Sequence, residues 1–382
     1  MRVLIDYRPA LRDRSGAGEY THQLVKALAA RFSSNGGGSP LELTLFSSSW
    51  KDRLTDVGEL GAVQVVDRRI PVRALNLAWH RMGWPPAETI AGRRFDLTHS
   101  SHPLIMPARH AAHVVTIHDL NFLAHPERTR AEIRRDYPVL ARAHAHRADR
   151  ILVPSHFTAG EVARQFEVPK ERIVVAPVGA PDWTPRERTP AEGYVLFIGT
   201  LEPRKNLGGL LDAYERLLEG PAKAGPYRDI PPLKIAGSTT EASREWLERI
   251  ARPPLQGIVK HIGYVEPSRT RQIYAGARLL VLPSFEEGFG IPVLEAMTLG
   301  VPVVAARRGS LPEVLGDAGL LVDPTKPEEI AAAIRRLLDD EAFAAACRDR
   351  GIAQSRRFRW DETARVVYGA YRDAIEAHAH RH

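Results

Sequence analysis

Residues 283–297 read Pro-Ser-Phe-Glu-Glu-Gly-Phe-Gly-Ile-Pro-Val-Leu-Glu-Ala-Met and directly follow the apolar run Leu279–Leu282. An apolar run, a glycine-rich turn and a helix start are typical of a strand–loop–helix step in a parallel α/β sheet. Gly288 and Gly290 permit a tight turn, and Pro292 suits a first helical turn. We predict that this helix start, with its unpaired N–H groups, faces a diphosphate.

Two glutamates flank this predicted anion site. Glu287 lies in the loop and Glu295 about one turn inside the helix. Because a carboxylate only accepts hydrogen bonds, the pair fits a ligand with hydroxyls on both sides of a diphosphate, such as ribose and a hexose. On spacing alone, Glu287 is equally well a solvated loop residue and Glu295 a residue that complements the helix dipole.

A second loop, Gly199–Asn206, follows the predicted strand Tyr194–Ile198 and contains Arg204 and Lys205. Adjacent cations at the carboxyl end of a strand can neutralise phosphate charge. The alternative is two solvated cations in a first helical turn. That position opposes the helix dipole, which favours a reason based on a ligand.

The first half of the chain contains two further candidate loops. Gly16 and Gly18 follow the first predicted strand and lead into a helix, a second glycine-rich approach to an anion. His118 comes directly after the predicted strand His113–Ile117, where it could contact a sugar near the reaction centre. A structural histidine satisfied by its neighbours is the alternative.

Strand and helix patterns alternate along the whole chain, which predicts a parallel α/β fold with two domains. The proline-rich stretch Pro177–Gly193 is interpreted as the linker. The predicted domains are residues 1–184 and 185–360, and a closing helix at 361–378 ends the chain. The predicted strands are Arg2–Asp6, Leu41–Phe46, Ala62–Val66, Asp96–His99, His113–Ile117, Ile151–Val153, Ile173–Val175, Tyr194–Ile198, Leu233–Ala236, Val259–Ile262, Leu279–Leu282, Val303–Ala305 and Leu320–Val322.

Composition narrows the functional classes. The net charge of +7 suits phosphates, anionic membranes or nucleic acid equally. Basic residues are not interleaved with aromatic ones, so we expect no nucleic-acid partner. The single cysteine, Cys347, excludes an internal disulfide and is expected to be a buried, inert thiol. Neither a secretory signal nor a membrane-spanning run is recognised, so we expect a cytoplasmic protein.

Several cofactor signatures are missing from the sequence. Neither Gly16-x-Gly18 nor Gly288-x-Gly290 has the third glycine of the dinucleotide fingerprint, and there is no Walker loop or Asp-x-Asp pair. The histidines between His99 and His146 do not form a coherent zinc set. We therefore expect no metal and no cofactor, and cations and helix dipoles would take the role of a metal ion.

These segments resemble glycosyltransferase family 4, whose members have the GT-B fold. The likeness is strongest over Leu279–Gly319, and "GTLEPRKNL", "TIHDL" and "VPSHFT" also resemble family elements. It weakens from about Trp50 to Ala91. The resemblance implies two Rossmann-like domains with parallel sheets facing across a cleft, and a closing helix at 361–378 that crosses back onto the first domain, where the alternative is a helix that simply caps the second. It also implies retaining transfer of a hexose, with mannose expected before other hexoses, from a donor such as GDP-mannose. UDP- and dTDP-sugars stay open, and a metal-independent reaction in polysaccharide or glycolipid assembly is expected.

The resemblance also implies roles for individual residues. Arg204 and Lys205 would bind the diphosphate, Glu295 the ribose, and Tyr264 or nearby backbone the base. The sugar and its phosphate would be held by the following set: His118, Glu287 and the N–H groups of Phe289, Gly290 and Ile291. Gly16 and Gly18 would close over the diphosphate, and Gly199 and Gly288 complete the expected donor site. Many family members have arginine where this chain has Glu19, so Glu19 receives no phosphate role.

Two rival functions and one membrane hypothesis accompany this interpretation. A nucleotide-sugar 2-epimerase on the same fold would convert the donor without an acceptor, and a non-catalytic nucleotide-sugar-binding protein would not need Glu287 or His118. The basic residues of 130–150 could form an amphipathic face for an anionic membrane at its inner side, where lipid-linked acceptors lie. The alternative is an ordinary solvated face.

Overall fold

The computed structural model describes the chain except residues 12–15, 34–39, 55–56, 125–130, 220–229 and 382, with the backbone alone at 124 and 131–136. The chain divides into two compact units. Unit 1 comprises Met1–Gly179 and Arg359–His382, and unit 2 comprises Ala180–Phe358. The sequence also predicts surface loops at 35–39 and 220–232 and a helix over 128–147. The first loop, most of the second and the first residues of that helix lie outside the described part.

Unit 1 is built on a parallel sheet of seven strands, in the order β3-β2-β1-β4-β5-β6-β7. All seven strands were predicted, with ends within two residues of those observed. Their bounds are β1 Arg2–Asp6, β2 Glu42–Ser48, β3 Val63–Arg68, β4 Leu97–Ser100, β5 Ala112–Thr116, β6 Arg150–Val153 and β7 Ile173–Val175.

Helices connect these strands. The chain forms α1 Ala17–Phe32, α2 Val72–Leu77 with a π-helical turn Ala78–Met82, α3 Ala87–Ala91, α4 Asn121–Ala124, α5 Ala131–Arg147, α6 His156–Phe166 and the closing α14 Trp360–Ala379. The helices between residues 72 and 91 were not predicted, because they are short and their buried residues do not repeat over several turns.

The closing helix α14 packs within unit 1. The Tyr371 hydroxyl lies 2.7 Å from Nδ1 of the buried His99, and the Thr363 hydroxyl donates to the Pro177 carbonyl over 2.6 Å. A side chain at Gly179 would overlap Trp360, so this glycine permits the close approach. Specific buried contacts therefore hold α14 on the first sheet.

Unit 2 repeats the plan with six parallel strands, in the order β10-β9-β8-β11-β12-β13. Each was predicted to within two residues. The strands are β8 Tyr194–Ile198, β9 Leu233–Ala236, β10 Val259–Gly263, β11 Ala277–Leu282, β12 Val303–Ala306 and β13 Leu320–Val322. The helices are α7 Leu207–Glu219, α8 Arg244–Ile250, α9 Pro267–Ala275, α10 Ile291–Thr298, α11 Leu311–Leu315, α12 Pro327–Asp339 and α13 Glu341–Ser355.

Among the described residues, one large hydrophobic cluster forms much of the core of unit 2. The inner faces of α7 and α12 pack on the sheet through residues such as Leu211, Tyr214 and Ile334, all fully buried. Cys347 belongs to the same cluster and is 1% exposed, so the predicted buried thiol is confirmed. Burial raises the pKa of this thiol, which keeps it in the unreactive protonated form.

The two strand orders fix where a ligand site can form. In each sheet the order reverses between two central strands, β1 and β4 in unit 1, and β8 and β11 in unit 2. Loops that leave the carboxyl ends of such a pair diverge and open a crevice. The parallel, Rossmann-like sheets predicted from the sequence are confirmed, and the loops after β8 and β11 lie at the crevice of unit 2.

Candidate active site

The loops after β8 and β11 are joined by backbone. The Phe285 N–H donates to the Arg204 carbonyl over 2.8 Å. Asn206 adds a second connection, because its side-chain amide donates to the Pro283 carbonyl over 3.1 Å and to the Pro324 carbonyl over 2.7 Å. Asn206 has a left-handed backbone (φ 55°), which asparagine tolerates. The two loops predicted to bind the donor thus form one structure.

A buried ion pair lies at the centre of this structure. Lys205 Nζ is 2.6 Å from Glu287 Oε1, and the Ser284 hydroxyl donates to the same oxygen over 2.7 Å. Lys205 is 7% exposed and Glu287 5% exposed. A buried charge is retained only when it is paired and hydrogen-bonded, and both conditions are met here. Glu287 is therefore not the solvated loop residue that its spacing also allowed.

The same contacts determine the protonation of the pair. Burial opposes ionisation of Glu287, but the Lys205 and Arg204 cations and the hydrogen bonds from Lys205 and Ser284 outweigh it and lower its pKa below the ordinary value. Burial lowers the pKa of Lys205, and Glu287 counteracts part of that effect. Glu287 is thus an ionised acceptor at neutral pH.

Arg204 is the second cation of the cluster and lies between two carboxylates. Its Nε donates to Glu202 Oε2 over 2.9 Å, and its Nη1 is 3.5 Å from Glu287 Oε2. The same Nη1 donates to the Glu286 carbonyl over 3.3 Å. These contacts hold the guanidinium in one orientation, and a fixed orientation suits forked recognition of a phosphate.

Sequence reasoning missed the residues that support Glu287. Ser284 holds its carboxylate, while the Ser310 N–H and hydroxyl donate to its carbonyl over 3.1 and 2.9 Å. Gly309 has a φ of 60°, and a Cβ there would lie 2.7 Å from that carbonyl. Only Ser284, three residues before Glu287 and just past a strand, carried a signal in the sequence.

Backbone hydrogen bonds from two glycines connect the ends of β8, β9 and β10. Gly199 donates to the Ala236 carbonyl over 2.9 Å, and Gly237 donates to the Gly263 carbonyl over 2.7 Å. A side chain at Gly237 would overlap the Gly199 carbonyl, so close approach excludes one there. Tyr264, the predicted base contact, directly follows Gly263 and is 38% exposed. Gly237 was not predicted, since one glycine after a short strand is a common turn.

The helix start predicted to face the diphosphate is present. Gly290, with a φ of 98°, precedes α10, and its carbonyl accepts from Val293 over 2.9 Å. Glycine suits this position because a φ of 98° is rarely adopted by residues with a side chain. The N–H groups of Phe289, Gly290 and Ile291 precede Val293, whose N–H makes this hydrogen bond at the start of α10. Gly288 completes the turn.

Two aromatic residues of unit 2 adjoin this helix start. Phe289 is 5% exposed and packs edge-on against Phe358, with ring centroids 5.6 Å apart. Glu295 lies one turn inside α10 beside the buried Tyr274, whose pKa is raised far above the ordinary value first by burial and then by the Glu295 carboxylate. Glu295 thus lies near the Tyr274 side chain.

In unit 1, Gly16 is the first described residue after the gap at 12–15, so Arg14 of this loop lies outside the described part. Gly16 caps α1 with a φ of 53°, and its carbonyl accepts from the Tyr20 N–H over 3.0 Å. Gly18 is buried in the first turn. The predicted glycine-rich helix start is present at the carboxyl end of β1.

His118 follows β5 and has a defined tautomer. Its Nε2 lies 3.2 Å from the Ser101 carbonyl. Because a carbonyl oxygen only accepts, Nε2 carries the hydrogen and Nδ1 of the neutral ring is an acceptor. Burial lowers the pKa of His118 despite the nearby Asp119. The Tyr20 ring packs edge-on at 5.0 Å. His118 is thus a neutral imidazole that can accept a hydrogen bond through Nδ1.

A further polar cluster at the end of β1 was not predicted. Asp6 is fully buried, and its carboxylate accepts from Arg8 Nε over 2.8 Å and Nη2 over 2.6 Å. His102 Nε2 is 3.1 Å from Oδ2, the oxygen that also accepts from Arg8 Nη2. Burial opposes ionisation of Asp6, but Arg8 and His102 outweigh it and lower its pKa well below the ordinary range. This cluster fixes the loops after β1 and β4.

Comparisons with known proteins identify the family. The model described as Glycosyltransferase Family 4 matches residues 14–182, and the model described as Glycosyl transferases group 1 matches residues 192–340. O-antigen chain mannosyltransferase B of Escherichia coli is 32% identical to this chain over 396 residues, which cover 97% of this chain and 100% of that protein. The chain belongs to glycosyltransferase family 4.

Solved structures agree with this family 4 assignment at the level of fold. Sucrose-phosphate synthase from Thermosynechococcus elongatus superposes with a TM-score of 0.77 at 20% identity and covers 98% of this chain and 99% of its own. Anabaena HepE, solved in complex with UDP and glucose, gives 0.67 at 18% identity and covers 96% and 98%. The family 4 chain has the predicted GT-B fold and is a glycosyltransferase.

Within each unit of this family 4 enzyme, the predicted residues lie at the carboxyl edge of the sheet. Unit 2 contains the following set: Gly199, Arg204, Lys205, Tyr264, Glu287, Gly288, Phe289, Gly290, Ile291 and Glu295. Unit 1 contains Gly16, Gly18 and His118. Their roles in binding and catalysis stay predictions. Among the described residues, no group of three or more His, Cys, Asp or Glu side chains is arranged to hold a metal ion.

Proposed function

We propose that this family 4 glycosyltransferase transfers mannose from GDP-mannose to a hydroxyl of a growing glycan, with retention of anomeric configuration and without a metal ion. The observation that carries the proposal is the Lys205–Glu287 pair beside Arg204, at the point where the strand order of unit 2 reverses. Two cations and an ionised, water-shielded carboxylate suit a donor that combines a diphosphate with sugar hydroxyls.

Each residue has a distinct task in this proposal. Arg204 and Lys205 stabilise the charge that develops on the departing diphosphate, and the amides at the start of α10 assist them. Glu287 accepts hydrogen bonds from the transferred sugar, and Glu295 accepts them from the ribose. The departing phosphate removes the acceptor proton on the same face of the sugar, so no side chain needs to act as a general base.

Mannose is proposed because the E. coli relative is a mannosyltransferase at 32% identity over nearly the whole length. GDP has less support than mannose, since the structural neighbour HepE was solved with UDP. A thermal-shift series with GDP, UDP, ADP and dTDP separates these options. A ligand at 100 times its Kd adds about 2.7 kcal/mol of stability. We expect the largest shift with GDP, and a larger shift with UDP would replace GDP-mannose in the proposal.

Transfer itself is tested with GDP-mannose and a mannose-containing acceptor. NMR of the product should show the anomeric configuration of the donor, and EDTA should leave the rate unchanged. Conversion of the donor without an acceptor would instead indicate a 2-epimerase, and nucleotide binding without turnover would indicate a binding protein. An inverted product or a rate lost in EDTA would overturn the retaining or the metal-independent part.

His118 is proposed to accept a hydrogen bond from a donor-sugar hydroxyl through Nδ1. His118→Asn places a polar atom near the Nδ1 position, whereas His118→Gln reaches the Ser101 carbonyl and leaves Nδ1 unreplaced. We expect His118→Asn to keep about tenfold more transfer activity than His118→Gln, since one hydrogen bond contributes roughly 1.5 kcal/mol. The reverse order would assign His118 a structural role through Ser101.

The acceptor is proposed to be a sugar or lipid-linked sugar, met in the cytoplasm at the inner face of an anionic membrane. Support comes from the relative's name, which places it in O-antigen assembly. Among the described residues, none of the helices is long and apolar enough to cross a bilayer. Membrane contact would then be peripheral, and vesicle binding tests it.

A further inference from the structure

Exposed apolar side chains concentrate in one segment of unit 1. Nine large hydrophobic residues are exposed among those described, and four of them lie between positions 72 and 84. They are Val72 at 39%, Leu77 at 58%, Met82 at 69% and Trp84 at 60% exposure. Single exposed apolar residues are normal, but several in one short segment indicate an interaction surface. We name residues 68–84 the docking segment.

The fold holds this segment in place from its inner side. Leu75 and Trp79 are 2% exposed, and the Trp79 indole donates to the Pro85 carbonyl over 2.9 Å. Arg8 donates to the Asn76 side chain over 2.8 Å, and its guanidinium lies 5.1 Å from the Trp79 ring. The segment therefore buries Leu75 and Trp79 against unit 1 and exposes other apolar side chains that take no part in this packing.

The charge of the segment has one sign. Arginines occur at 68, 69, 73 and 81, all exposed, and no aspartate or glutamate occurs from 68 to 87. The nearest acidic residue on one side, Asp67, pairs with Arg53 over 2.7 Å. Arginines around exposed aliphatic and indole groups fit a partner that is negative at its surface and apolar just below it.

A second tryptophan adjoins the segment. The Ser48 hydroxyl donates to the Ile70 carbonyl over 2.8 Å, and the Ser49 N–H donates to the Arg68 carbonyl over 3.3 Å. These bonds place Trp50, which is 69% exposed, beside the start of the segment. Tryptophan favours the boundary between lipid headgroups and acyl chains, because its ring is apolar and its N–H is polar.

We propose that residues 68–84, with Trp50, bind the surface of an anionic lipid bilayer. This deepens the proposed membrane contact and rests on it, while the donor site plays no part. A second copy of the chain fits less well, because two such surfaces would bring arginines against arginines. Nucleic acid fits less well, because three of the five exposed apolar residues, Val72, Leu77 and Met82, have no ring on which a base could stack.

The basic residues of 130–150, which the sequence also suggested for a membrane, lie on a helix with fewer exposed apolar side chains among its described residues. Arg130 and the side chains of Ile133, Arg134 and Arg135 lie outside the described part. Tyr137 and Leu140 pack against the core, and His144 is 3% exposed and accepts from the Ile105 N–H over 2.8 Å. His146 lies 2.7 Å from the Phe166 carbonyl, and Arg142 is 2.5 Å from Glu167. Its described apolar and aromatic residues therefore face mainly inward.

Vesicle co-sedimentation tests the proposal with the full chain and no donor. Phosphatidylcholine vesicles are compared with vesicles of phosphatidylcholine mixed with phosphatidylglycerol, whose surface is negatively charged. We expect binding to the anionic vesicles only, weakened by salt. Leu77→Ser/Met82→Ser/Trp84→Ser should weaken it at least about tenfold, and Arg69→Gln/Arg73→Gln about tenfold or more.

Val139→Ser is the matched control, because Val139 is 72% exposed on α5. It should leave binding unchanged, and loss of binding with Val139→Ser alone would move the contact to α5. Full binding by the triple variant would overturn the proposal. Light scattering without lipid tests the other occupant. If the wild type were a dimer and the triple variant a monomer, the surface would bind a second copy and the proposal would be overturned. Transfer to a soluble acceptor should be unchanged in the triple variant, and failure of transfer in the wild type would challenge the proposed function alone.

Discussion

Replacing Glu287 by glutamine tests the proposed catalytic cluster most directly. Glutamine has nearly the same shape, and its amide oxygen can still accept from Lys205 Nζ and Ser284, which lie 2.6 and 2.7 Å from the native carboxylate oxygen. The substitution removes the negative charge and replaces Oε2, which lies 3.5 Å from Arg204 Nη1, by an amide nitrogen that cannot accept a hydrogen bond. Lys205, 7% exposed, would then keep a buried positive charge without its counter-ion.

The structure sets the size of the effect. Removing one partner of a buried ion pair costs about 3–5 kcal/mol, and the retained hydrogen bonds place Glu287→Gln near the lower end, at about 3 kcal/mol. In transfer, loss of one preorganised contact to the reacting group lowers kcat about 100- to 1,000-fold. Lys205→Met in the same background should recover at least about 1 kcal/mol of stability, because the uncompensated charge is gone. Activity should not recover.

Denaturant unfolding gives the stability, and mannose transfer from the donor gives kcat. Glu286→Gln is the matched control, since Arg204 contacts the backbone carbonyl of Glu286 and the carboxylate of Glu287. The control should lose much less stability than Glu287→Gln, because Glu286 is only partly buried and does not belong to the buried ion pair. Wild-type stability and kcat in Glu287→Gln would refute the buried pair and its catalytic role together.

Three further predictions concern the fold that carries the site. Gly237→Ala should destabilise the chain by more than about 1–3 kcal/mol in thermal unfolding, because its φ is 143° and its Cβ would overlap the Gly199 carbonyl. Gly160→Ala is the control. Gly160 lies inside α6 with open space around it, so this substitution should stabilise the chain by about 0.5–1 kcal/mol. Tyr371→Phe removes the 2.7 Å bond to His99 and should cost about 1–3 kcal/mol in the same assay. Burial lowers the pKa of His99 to about 3, so the unfolded chain binds a proton first as the pH falls below about 6.5. The unfolding free energy should then decrease from pH 6.5 downward, and His99→Asn should flatten that decrease by up to about 1.4 kcal/mol per pH unit.

The strands could be predicted because each is a short apolar run ended by glycine, proline or a polar residue. The run 194–198 is buried on both faces of a parallel sheet, so its apolar character is continuous and its bounds were predicted correctly. The position of Arg204 and Lys205 after this strand was enough to place them at the carboxyl edge. Strand order was not readable, so the coincidence of this loop with the reversal between β8 and β11 came only from the structure.

The partners within the site could not be predicted, because they are distant in sequence. Lys205 and Glu287 are separated by 82 residues, and spacing alone left Glu287 as plausible in solvent as in a site. The contact between His99 and Tyr371 spans 272 positions, and neither residue carried a motif. The docking segment was missed for another reason. Its helix is short and interrupted, and exposure of Leu77 and Met82 is visible only once Leu75 and Trp79 are seen to be buried.

The charge count of the cluster is compatible both with its stability before a donor binds and with the proposed binding of a diphosphate. Arg204 and Lys205 face Glu202 and Glu287, so two positive charges are balanced by two negative ones. In the proposed mode, a diphosphate that approaches Lys205 gives the ammonium a second anion. Glu287 can then accept hydrogen bonds from sugar hydroxyls. Its negative charge stays balanced, because Arg204 Nη1 is 3.5 Å from its other oxygen. Donor binding in the proposed mode is thus an exchange of partners within a fixed frame. Because Ser284 and Ser310 hold Glu287 on both its side chain and its backbone, the frame needs little rearrangement when the exchange occurs.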